Sequence, residues 1–98
     1  MDWQELTDRQ VLEALAVRLR DYRIHKKYTQ KELAEKSGIS VHSIQKIEQG
    51  KAVSLEIFLS VLRTLRLLNQ FRNLVPDRSV SPIELWEKQG AKRQRVRK

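Results

Sequence analysis

Between Ser40 and Gly50 the chain reads SVHSIQKIEQG, in which His42, Gln45, Lys46 and Gln49 recur at short, helix-like intervals. On a helix this spacing gathers an imidazole, two carboxamides and an ammonium on one side, opposite Val41, Ile44 and Ile47. The chemistry available to such a stripe is hydrogen bonding at a surface. On an arbitrary helix it would only be solvated, so its meaning depends on the elements that hold it.

Catalytic chemistry finds no footing elsewhere in the sequence. The carboxylates are scattered along amphipathic stretches, no Ser/His/Asp set is suggested by spacing, and three glycines form no phosphate-cradling loop. With no cysteine and only His25 and His42 as histidines, neither a disulfide framework nor a thiolate or histidine metal site is expected. An enzyme is not expected, and neither is a catalytic residue, a metal or a cofactor.

The elements are legible from caps and apolar periodicity. Thr7 and Gln10 have capping-box spacing, and Leu12, Leu15, Leu19 and Tyr22 then mark a long first helix to about Lys26. Thr29 with Glu32 begins a second helix of about two turns, with Leu33 and Ala34 inward and Gly38 at its end. Ser40 caps a third helix from Val41 to about Gln49, stopped by Gly50. Ser54 caps a fourth, LEIFLSVLRTL, with Phe58, Val61, Leu62 and Leu65 inward. The apolar series Leu67, Leu68, Phe71, Leu74 and Val75 predicts a fifth helix, 67–75, ending before Pro76. Beyond the joint PDRSV, the residues Ser81, Pro82 and Glu84 start a short helix, 82–89, followed by a basic tail. The expectation is an all-α chain with one domain over 1–76 and a C-terminal extension over 77–98.

A second helix, a tight glycine turn and a third helix make a helix-turn-helix, 29–49. The residue pattern adds to the architecture: TQKELAEKSGIS followed by SIQKIEQGK closely resembles the Cro/phage-repressor, or XRE, family of helix-turn-helix domains. The resemblance covers residues 15–68. It implies a compact five-helix Cro/repressor-like fold, binding to double-stranded DNA, and an ion pair between Arg23 and Glu48 that ties the first helix to the third.

In a helix-turn-helix the N-terminal residues of the second helix meet base edges in the major groove. Val41, His42, Gln45 and Lys46 are therefore the base-reading candidates: glutamine suits adenine N6 and N7, lysine suits guanine O6 and N7, and valine suits a thymine methyl. Gln30, at the start of the helix before the turn, is placed to grip a phosphate with its side chain and the free N–H groups beside it. The resemblance implies the same role for it. Lys31, Ser40, Ser43 and Lys51 are further phosphate candidates, whereas His25 reads as a favourable C-terminal helix residue.

A chain of 98 residues has material for one compact domain that buries roughly 60 to 65% of its unfolded surface, which favours self-association. Its net charge of +8 is uneven, because residues 88–98, KQGAKRQRVRK, carry six basic and no acidic side chains. Such a balance favours a polyanion or an acidic partner surface. The opening MDWQELTD is acidic without an apolar core, and no run approaches the ~18 apolar residues of a membrane span. A soluble, cytoplasmic protein, associated with the bacterial nucleoid through DNA, is expected.

One helix reads only a few base pairs, so a homodimer on a pseudo-palindromic operator is expected, with Leu67, Leu68, Phe71, Leu74 and Val75 as its interface. The alternative for that stripe is closure of the monomer core. The end of the chain, SPIELWEKQGAKRQR, resembles the C-terminal extension of HipB-like antitoxins, encoded beside HipA-type toxin kinases. That resemblance implies an autoregulated toxin–antitoxin operon and a HipA-like toxin kinase as partner, with Ile83, Leu85 and Trp86 filling a pocket on it or packing on their own domain. The competing readings are a toxin-binding interaction module, and a phage-type repressor or restriction-system controller with no toxin partner.

Overall fold

A computed structural model of the chain describes residues 2–78. After a single 3-10 turn over Trp3–Glu5 come α1 (Asp8–His25), α2 (Gln30–Ser37), α3 (Val41–Glu48), α4 (Leu55–Thr64) and α5 (Leu68–Phe71). The described residues contain no strand, as the all-α expectation requires. The expected helix 82–89, the basic tail and Ile83, Leu85 and Trp86 lie outside the described residues.

Each of the first four helices begins on a side chain that accepts a backbone N–H left over in the first turn. Thr7 and Thr29 form complete capping boxes with Gln10 and Glu32, and Ser40 and Ser54 accept from Ser43 and Ile57. The 3-10 turn, not anticipated from the sequence, is capped by Asp2 Oδ1, which accepts the Gln4 N–H at 2.9 Å. The Arg18 guanidinium lies over the Trp3 ring, 4.8 Å from its centroid, and this cation–π contact holds the turn against α1.

The core is Leu19 of α1, Leu33 and Ala34 of α2, Ile44 and Ile47 of α3, and Val61, Leu62 and Leu65 from α4 and its end. Burial of each large aliphatic side chain contributes about 1.5–3 kcal/mol. α2 packs on both α3 and α4, and α1 packs on α3. A 2.8 Å hydrogen bond between the Ser37 and Thr64 hydroxyls adds a polar tie between α2 and α4. Leu12, one of the apolar residues that mark α1, is exposed beside an apolar groove of about 240 Å³ that runs past Leu15, Val53, Leu55 and Phe58.

The fifth helix is shorter than its apolar pattern predicts: α5 covers only Leu68–Phe71, not 67–75. Leu67, Leu68 and Phe71 pack on the core, Phe71 meeting Phe58 edge to face with centroids 6.2 Å apart. Beyond Phe71 the backbone makes three-residue turns, with Leu74 N–H donating to the Phe71 carbonyl at 3.0 Å. Leu74 and Val75 are 65% and 79% exposed. Without an apolar face to bury, another helical turn gains little, and Pro76 keeps Val75 out of helical geometry.

Candidate nucleic-acid interface

α2 and α3 are set against each other by the turn between them. Gly38 takes φ +71°, its N–H donates to Glu35, and the Ile39 N–H donates to Ala34 at 3.1 Å. This pair of bonds is a Schellman closure, which satisfies the last carbonyls of α2 and reverses the chain. Ile39 then packs against the core and Ser40 starts α3 two residues after the glycine. α3 ends in the same way: Gly50 takes φ +76° and the Lys51 N–H reaches the Lys46 carbonyl at 2.9 Å. A Cβ at Gly50 would stand 3.1 Å from Glu13 Cγ and 3.3 Å from Glu13 Cα, so the end of α3 is pressed directly on α1.

Burial of Ile44 and Ile47 fixes the rotation of α3, and with it the direction of the polar stripe. His42, Gln45 and Gln49 are exposed on the opposite side, Lys46 is half-buried, and Val41 is half-buried against the core edge. The four base-reading candidates thus share one short helix, with His42 and Gln45 its most open members. Of the phosphate candidates, Lys31 and Lys51 are exposed, whereas Ser40 and Ser43 are engaged in capping, their hydroxyl oxygens 3.1 Å apart.

The ion pair implied by the resemblance is present. Arg23 Nε lies 2.6 Å from Glu48 Oε2 and Nη2 lies 3.1 Å from Oε1, with the two side chains 10% and 5% exposed. The third nitrogen of the guanidinium donates to the Tyr28 carbonyl at 2.8 Å, so the same arginine braces the turn that leads into α2. Gln30 joins this group: its Nε2 donates to Glu48 Oε1 at 3.0 Å. Local spacing places Gln30 at the start of α2 and the family resemblance pairs Glu48 with Arg23, but neither joins Gln30 to Glu48. Their contact depends on how α2 crosses α3, which no local spacing encodes.

What this arrangement can do is present the polar face of a short helix in the same helix-turn-helix unit as Gln30 and the exposed Lys31 and Lys51, a set of groups suited to base edges and phosphates. A family model described as helix-turn-helix matches residues 19–67, half of the chain. The chain belongs to this family, in its XRE-type form, whose members are DNA-binding transcriptional regulators. No curated protein matches the sequence. No helix among the described residues is long and apolar enough to cross a membrane.

Proposed function

We propose that the protein is a sequence-specific transcriptional repressor that binds a pseudo-palindromic operator as a homodimer. The observation that carries this reading is the orientation of α3, whose buried Ile44 and Ile47 leave His42 and Gln45 facing outward at the start of the helix. Val41, His42, Gln45 and Lys46 read bases, while Gln30, Lys31 and Lys51, with the first-turn N–H groups of α2, hold phosphates.

The finer assignment is the autoregulating antitoxin-type component of a HipA-like toxin–antitoxin operon. Its support is the likeness of SPIELWEKQGAKRQR to the extension of HipB-like antitoxins. Fluorescence anisotropy against DNA from immediately upstream of the protein's own gene, with shuffled DNA as competitor at physiological salt, tests autoregulation. A preference of about a thousandfold or more is expected. Equal, weak binding to both duplexes would mean that the operator lies elsewhere or that a partner must complete the reader. Co-purification with the product of the adjacent gene tests the toxin partner, and its absence would leave a phage-type repressor or restriction-system controller as the better assignment.

A further inference from the structure

Side chains from two other helices, Arg23 of α1 and Gln30 of α2, meet Glu48 of α3, and Gln30 is the proposed phosphate clamp. We propose that Glu48 is a positioning residue for DNA binding: it fixes the side-chain amide of Gln30 with an N–H directed at the phosphate. This rests on the reading of Gln30 as a backbone clamp.

The chemistry follows from what a carboxylate accepts. A Gln amide can turn end for end at little cost, exchanging an NH2 donor for a carbonyl acceptor. Only the donor end is useful against a phosphate oxygen, and the acceptor end repels it. The Glu48 carboxylate accepts only, so the atom 3.0 Å from its Oε1 has to be the Gln30 nitrogen. One Nε2 proton is thereby held by Glu48 and the flipped amide is excluded. The second proton remains for a phosphate.

Arg23 makes this arrangement compatible with DNA. A bare carboxylate beside the interface would repel a phosphate, but Arg23 contacts both Glu48 oxygens, at 2.6 and 3.1 Å, and balances its charge. Its bond to the Tyr28 carbonyl at 2.8 Å also steadies the chain just before Thr29, the cap of the helix that begins with Gln30. The buried ion pair therefore does more than tie α1 to α3. It sets the direction of a donor at the DNA surface.

The sign of the effect separates this role from simple electrostatics. Removing a negative charge near DNA should, by Coulomb attraction alone, tighten binding. Loss of positioning should loosen it. The test is a double-mutant cycle of Glu48→Gln and Gln30→Ala, with affinity for a duplex of mixed sequence measured by anisotropy at a temperature where circular dichroism shows every variant folded.

The expected result is that Glu48→Gln weakens binding about tenfold in the wild-type background and by less than about twofold in the Gln30→Ala background. Equal losses in both backgrounds, or tighter binding by Glu48→Gln, would overturn the positioning role and leave the clamp intact. If Gln30→Ala alone leaves affinity unchanged, the clamp itself is wrong and the proposal fails with it. Should Glu48→Gln not fold, Glu48→Asp takes its place in the cycle, since it keeps a negative charge near Arg23 while the loss of one methylene withdraws the oxygen that Gln30 shares with Arg23.

Discussion

At the scale of single residues, the side chains that matter divide into those that hold the interface together and those that it presents. Arg23 and Glu48 belong to the first group. Removing one partner strands the other as a buried charge, so Glu48→Ala is expected to lower stability by about 3–5 kcal/mol, measured by thermal melting followed by circular dichroism. An unchanged melting temperature would mean that the pair contributes nothing net. Lys46 belongs to the second group. Lys46→Ala is expected to relax specificity at one base pair by roughly 1–3 kcal/mol, measured on a panel of single-base operator variants. An equal loss on every sequence would reassign Lys46 to phosphate contact. The ion pair was legible through the family resemblance, which covers Arg23 as well as Glu48, and the polar stripe through its helical spacing along SVHSIQKIEQG. The bond from Gln30 to Glu48 was not legible, since it joins the start of α2 to the end of α3 through the packing of Leu33, Ala34, Ile44 and Ile47.

At the scale of elements, helix beginnings were readable from Thr7, Thr29, Ser40 and Ser54, because capping is local chemistry. Helix ends divide into two kinds. α2 and α3 close on Gly38 and Gly50, which the sequence announces, but α1 and α4 close with Lys27 at φ +65° and Arg66 at φ +64°. In both of these the same bonds form, Tyr28 N–H to the Arg23 carbonyl at 3.2 Å and Leu67 N–H to the Leu62 carbonyl at 2.8 Å. A left-handed lysine or arginine carries a steric cost that glycine avoids, so Arg66→Gly is expected to raise stability by up to about 1 kcal/mol in urea unfolding. A loss of stability would show that the Arg66 side chain makes a contribution larger than the strain. At Gly50 the opposite change is unfavourable twice over, through φ and through the approach of Glu13. Gly50→Ala is expected to lower stability by about 1–3 kcal/mol in the same assay, and a neutral result would mean that α1 yields freely there. Apolar periodicity overextends the fifth helix because it continues through Leu74 and Val75, although the core they would pack on has ended.

At the scale of the whole molecule, one domain presents one proposed reading helix, and the proposed dimer supplies the second. Leu67, Leu68 and Phe71 are partly committed to their own core, which leaves Leu74 and Val75 as the open part of the proposed interface. Sedimentation equilibrium at micromolar concentration is expected to give a dimer, and Leu74→Asp to give a monomer with its fold intact. A wild-type monomer, with and without DNA, would contradict the dimer. The central claim, that α3 reads sequence, is tested most directly by enrichment of bound duplexes from a random DNA pool. The recovered sequences are expected to converge on an inverted repeat whose half-sites lie about 34 Å apart, one turn of DNA. A pool that binds but does not converge would show that the polar face of α3 holds DNA without reading it.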